Sequence, residues 1–131
     1  MRRCGAGAVA DQGEMMTPDQ LLAKYSLLGE TRGGELFLPL SRAIELLREC
    51  DANNIALIGL EGFELTGSKI RPRMDQVADC SGHLARDWAV YLATANACAA
   101  QFLGSIKSDT PLLFSPVMLG AESWRRDRNL R

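Results

Sequence analysis

The sequence predicts an α+β fold: a three- to four-stranded, mainly antiparallel sheet with about three helices packed on it. Three observations carry this. A capped amphipathic segment opens near Thr17. A continuous apolar run, Ile55–Leu60, switches to alternation and meets a turn signal at Thr66-Gly67-Ser68-Lys69. Finally, Leu84, Trp88, Tyr91, Ala95, Cys98 and Phe102 recur at helical spacing.

The first helix starts at Thr17-Pro18-Asp19-Gln20, where a capping hydroxyl, a proline at the first helical position and a Gln three residues on make a capping box. Leu21, Leu22, Tyr25 and Leu28 give its apolar face, and Gly29 is its natural terminator. Glu30–Glu35, with Gly33-Gly34, reads as a loop, and Leu36–Leu38 as a short strand before Pro39. Ser41 is placed to cap a second helix with Ala43, Ile44, Leu46, Leu47 and Cys50 inward, ending in the turn-tolerant residues Asp51–Asn54.

Ile55–Leu60 has the length and character of a strand covered on both faces. Phe63 and Leu65 then alternate with Gly62 and Glu64, and Gly59 and Gly62 mark a bend or bulge at the switch. A hairpin returns through Ile70-Arg71, and Pro72 stops that strand or confines it to an edge. Asp79 or Ser81 is the expected cap of a long helix from about His83 to Ile106. Leu112–Leu119 reads as a last strand, placed at an edge by Pro116.

The 131 residues fit one domain spanning 14–120, with a disordered leader over 1–13 and a mobile basic tail over 121–131. Arg125, Arg126, Arg128 and Arg131 crowd that tail. Without the two ends, nine basic and 13 acidic residues leave a body of net charge −4. Such a body repels nucleic acid and suits a basic partner. No apolar run matches a signal peptide or a membrane span, so the expected location is cytoplasmic and no membrane is involved.

Chemistry-bearing motifs are sparse. Cys4, Cys50, Cys80 and Cys98 form no CxxC pair, which points to buried, reduced thiols and no metal. His83, the single histidine, sits two residues from Ser81, too close along a helix for the two to face each other as nucleophile and base. Gly5-Ala6-Gly7 and Gly33-Gly34 match neither a P-loop nor a dinucleotide fingerprint, so no cofactor is expected. Trp88 and Tyr91 lie on the long helical seam and read as core. Trp124 falls in the tail.

Glu61, Glu64, Asp75 and Asp79 are the candidate partner-binding residues, since they can converge at one end of the sheet. Their spacing fits no carboxylate motif for a hard cation. The order of elements, with Gly59-Leu60-Glu61-Gly62-Phe63 at the bend and a Trp88-bearing helix after the hairpin, resembles the small cytosolic immunity proteins of bacterial polymorphic toxin systems. The resemblance covers about Pro39–Leu119. It implies a non-enzymatic protein that neutralises a toxin by covering its active site, often with acidic residues facing a basic nuclease. Two other readings stay open: a small carboxylate- or metal-dependent hydrolase using the same four residues, and a structural or regulatory homodimer joined through the long helix or the Pro116 edge strand.

Overall fold

A computed structural model describes residues 15–82, 85–107 and 111–129. The elements run α1 (Pro18–Ser26), β1 (Glu30–Arg32), β2 (Glu35–Pro39), α2 (Leu40–Ala52), β3 (Ile55–Thr66), β4 (Lys69–Asp79), α3 (Trp88–Gly104), β5 (Leu112–Gly120) and α4 (Ala121–Asn129). The strands form one antiparallel sheet in the order β1-β2-β5-β3-β4. The α+β class stands, and the described residues alone hold five strands rather than three to four and four helices rather than about three.

The capping box at α1 is formed as the residues dictate: Thr17 Oγ1 accepts from the Gln20 N–H (3.1 Å) and Gln20 Oε1 from the Thr17 N–H (2.9 Å). Leu21 and Tyr25 are its core residues, while Leu22 and Leu28 of the expected apolar face are exposed. The segment read as a loop at Glu30–Glu35 is instead a hairpin. Gly33 and Gly34 both hold positive φ, +58° and +82°, which a two-residue turn between twisted strands requires. Strand β1 is only three residues long, too short for a periodicity signal. Helix α2 begins at Leu40 with Pro39 at its cap, so Ser41 lies inside the helix rather than capping it. It ends as expected in turn-tolerant residues, with Asn54 at φ 61°.

Strand β3 joins the sheet's two halves. Its first residues, Ile55, Ala56 and Leu57, are fully buried, in keeping with an apolar run covered on both faces. Both glycine switches coincide with register shifts, against β5 between Leu57 and Gly59 and against β4 between Glu61 and Phe63. At the second, Gly62 stands alone opposite the bulged segment Arg73–Gln76, and a Cβ there would lie 2.8 Å from Gln76 Cβ. Pro72 does not end β4, which continues to Asp79 as an edge strand.

Pro116 does not mark an edge. Strand β5 lies between β2 and β3. The proline is tolerated there because β2 pairs with β5 only at Leu38 and Pro39, opposite Phe114 and Leu113, leaving Pro116 beyond that short ladder.

Helix α3 is capped by Asp87, whose Oδ1 accepts from the Val90 N–H (2.9 Å), rather than by Asp79 or Ser81. His83 and Leu84, expected in its first turns, lie outside the described residues. The seam holds for Trp88, Tyr91 and Ala95, which are buried, and for Cys98 and Phe102, which are half-buried. Cys80 and Cys98 are joined as a disulfide (Cα–Cα 5.7 Å), tying the end of β4 to the middle of α3. The expectation of reduced thiols is therefore corrected for this pair, which removes the ground for placing the chain in a reducing compartment. Cys50 is buried and free, and burial together with the Glu49 and Asp51 charges pushes its thiol up to about 12, which leaves it inert.

The expected mobile tail is also corrected through residue 129. Ala121–Asn129 is helical, and Trp124 is buried against Trp88 and Tyr91, with ring centroids 5.6 Å from each. One tryptophan among arginines gives a sequence no way to reveal a distant aromatic partner. The leader 1–13 and the tail end beyond 129 lie outside the described residues.

Candidate functional site

The four helices described contribute to one core cluster. Helices α1 and α3 reach the sheet face that carries Leu60, Gly62 and Phe114, where Phe114 meets Phe102 of α3 edge-on at 6.0 Å and Pro18 of α1 lies against Gly120; on the opposite face Ala56 and Leu119 are packed into the core as well, so that face is open only from the Gly59 row onward. The opposite face follows from the register, because directly paired residues share a side. Asp79, Gly59 and Val117 make one row across β4, β3 and β5. Val77, Glu61 and Ser115 make the next, and Pro72, Phe63 and Leu113 the third. The β1–β2 ribbon bounds the far end: Phe37 meets the Phe63 ring at 5.0 Å, and Arg32 donates to the Ser68 carbonyl (2.6 Å).

This face is apolar and acidic. Val117 is 50% exposed and Val77 43%, while Glu61 and Asp79 project beside them. Gly59, between Asp79 and Val117, supplies no side chain at the centre of the first row. A Cβ at that position would stand 3.3 Å from Val117 Cβ.

The four predicted carboxylates do not meet in one place. Glu61 and Asp79 share the open face, one diagonal step apart. Glu64 is on the other side of β3, and it shares Arg73 (3.3 Å) with Asp75 (3.0 Å) at the β4 bulge. The Arg73 hydrogen bond holds the Asp75 carboxyl below the usual carboxylate range, and the Ser81 hydroxyl and backbone N–H do the same for Asp79. Glu61, Asp75 and Asp79 stand exposed and Glu64 is half-buried beside Arg73, so none of the four is enclosed in an apolar pocket. Among the described residues, no three His, Cys, Asp or Glu side chains group closely enough to hold a metal ion.

Sequence reasoning missed Val77, Val117 and Gly59 as parts of this surface. Val117 lies 56 residues or more from Glu61 along the chain, and only the β3–β5 pairing brings it alongside. A weak signal was present in Val77, the one β-branched residue in the second half of β4.

Searches for related proteins leave this geometry to speak for itself: no protein-family model, no curated protein and no solved structure matches the chain. Among the described residues, no helix is long and apolar enough to cross a membrane.

Proposed function

We propose that this chain is a non-enzymatic protein-binding domain, an immunity-type inhibitor that covers a basic surface on a toxin or nuclease with the open face of its sheet. The observation that supports it most is the exposure of Val77 and Val117 beside Glu61 and Asp79 on the part of the sheet face that stays open from the Gly59 row onward. Apolar side chains supply the area that is removed from water, and the carboxylates select a partner with basic groups around an apolar patch.

The partner docks on the face and not along the edge of the sheet. Strand β4 is blunted against pairing by Pro72, by the Arg73–Gln76 bulge and by Lys69, Arg71 and Arg73. Glu64 and Asp75, already held by Arg73, contribute to the negative field rather than to direct contact. The disulfide between Cys80 and Cys98 favours an oxidising setting for this activity over the cytoplasm.

The test uses a photo-crosslinking residue at Val117 to capture the partner in the source cells, followed by association kinetics with that purified partner. Replacing Glu61, Glu64, Asp75 and Asp79 with Ala is expected to slow association severalfold at low salt and less at high salt. Val117→Asp is expected to speed dissociation. Association and dissociation both unchanged would reject the face as the docking surface. A reaction catalysed by the purified chain, and lost on Glu61→Gln, would favour the hydrolase reading instead.

A further inference from the structure

One side of the proposed docking face is held by a bond that a reductant can open. Strand β4 is an outer strand of the sheet, and among the described residues none of its eleven is fully buried. Its ladder with β3 is broken by the bulge opposite Gly62. Beyond that break it pairs at three positions, Val77 with Glu61, Ala78 with Leu60 and Asp79 with Gly59. An outer strand with few pairs and little buried apolar area opens locally at small cost.

Consecutive residues of a strand point to opposite faces, and here the alternation divides two tasks. Val77 and Asp79 face outward in the rows of Glu61 and Val117. Ala78 and Cys80 face the helices, where Ala78 brings one methyl group to the core and Cys80 is buried at 3% exposure. Cys80 is bonded to Cys98 in the middle of α3, so the disulfide stands directly behind the Asp79 carboxylate. Lighter ties accompany it: the Cys80 N–H donates to the Ile58 carbonyl at 2.8 Å, and the Tyr91 hydroxyl to the Ser81 carbonyl at 3.4 Å. Asp79 Oδ1 accepts from the Ser81 N–H (3.0 Å) and hydroxyl (2.6 Å), so this carboxylate moves with the turn that the disulfide anchors.

We infer that the Cys80–Cys98 disulfide is a redox switch on the docking face: oxidised, it holds the 77–79 end of β4 in position, and reduced, it releases that end. The switch presupposes the docking role proposed above and regulates that same site. Release withdraws one of the two exposed valines and one of the two carboxylates. Glu61 and Val117, on the inner strands β3 and β5, stay in place. The reductant is a dithiol. One of its thiolates attacks the sulfur of Cys98, the half-buried member of the pair, and the electron pair of the breaking S–S bond leaves on Cys80, which takes up a proton. The second thiol of the reductant then displaces Cys98, leaving two protein thiols and the reductant as a disulfide.

The experiment is amide hydrogen exchange of the full chain with and without dithiothreitol, with circular dichroism to check the fold. Reduction is expected to speed exchange at residues 77–81 roughly tenfold or more and to leave the Leu57 amide and the β3–β5 ladder as slow as before. The double variant Cys80→Ala, Cys98→Ala is expected to exchange like the reduced chain and to ignore dithiothreitol. Should it fail to fold, the reduced wild type decides alone. With the partner captured through Val117, reduction is expected to speed dissociation severalfold. Exchange that is unchanged at 77–81, or raised alike across the whole sheet, overturns the inference whatever the partner. So does a partner whose dissociation ignores reduction while Val117→Asp still speeds it. Dissociation indifferent to both changes overturns the docking face itself, and the switch with it.

Discussion

Asn96 on α3 hydrogen-bonds to the backbone of Leu57 as a neighbouring strand would: its Oδ1 accepts from the Leu57 N–H at 2.8 Å, and its Nδ2 donates to the Ile55 carbonyl at 3.2 Å. Strand β4 ends at Asp79, opposite Gly59, and Cys80 N donates to Ile58 O just beyond. From there no strand among the described residues lies beside the first residues of β3 on that side, and a helical side chain satisfies them instead. Asn96 is accordingly one of the few buried polar residues, at 6% exposure.

Replacing Asn96 by Ala or Leu leaves a buried backbone donor and acceptor without partners. At about 1–3 kcal/mol for each orphaned group, a loss of roughly 2–6 kcal/mol is expected in urea unfolding. A loss below about 0.5 kcal/mol would show that water reaches these groups and that the helix is not needed to satisfy them.

The Cys80–Cys98 bond closes a loop of 18 residues and restricts the unfolded chain. Its removal by reductant, or by Cys98→Ser, is expected to cost roughly 2–4 kcal/mol. Alkylation of the unfolded, unreduced protein should label Cys50 and spare Cys80 and Cys98, a pattern that mass spectrometry reads directly. Labelling of all three would show the pair to be reduced.

Trp124 joins α4 to the core through Trp88 and Tyr91. Trp124→Ala should destabilise by about 3 kcal/mol and shift the remaining tryptophan's emission as Trp88 gains solvent. A tail that is mobile in solution would give no change in the urea midpoint.

The ion pair of Lys24 with Glu49 (2.8 Å) and the Tyr25 hydroxyl's hydrogen bond to the same carboxylate join α1 to α2. Burial pushes the Glu49 carboxyl up, but the Lys24 and Tyr25 hydrogen bonds outweigh it and hold it below its ordinary 4.5. A group with a lowered folded pKa gives stability above its unfolded value and loses it as pH falls through the folded one. Stability should therefore decline from about pH 4.5 downward, and Glu49→Gln should flatten that part of the profile. Equal acid slopes in the two proteins would refute the linkage.

Local chemistry made much of this fold legible. Thr17, Pro18 and Gln20 interact within one turn, so the α1 cap could be read from four consecutive residues. Gly59 and Gly62 signalled both register shifts, and at Gly62 a Cβ would stand 2.8 Å from Gln76 Cβ, too close to fit without a shift. Gly33-Gly34 was misread because three-residue β1 is too short to show alternation. Pro116 was misplaced because the cost of a proline depends on whether a partner strand extends that far, and β2 does not.

The candidate site divides the same way. The presence of acidic residues around the β3–β4 hairpin was visible in the sequence, because a hairpin keeps near neighbours near. Alternation along β3 already set Glu61 and Glu64 on opposite faces, but the β4 bulge opposite Gly62 was not visible; it changes the register by three residues and leaves Asp75, like Glu64, bound to Arg73. By itself the sequence determined the α1 cap, the Thr66–Lys69 turn and the apolar and acidic segments, all set by interactions within a few residues. Only the tertiary structure decided the Cys80–Cys98 pairing, the burial of Trp124, the role of Asn96 and the company Val117 keeps with Glu61. Each of these joins residues far apart in the chain, and their energies depend on a geometry that no short window contains.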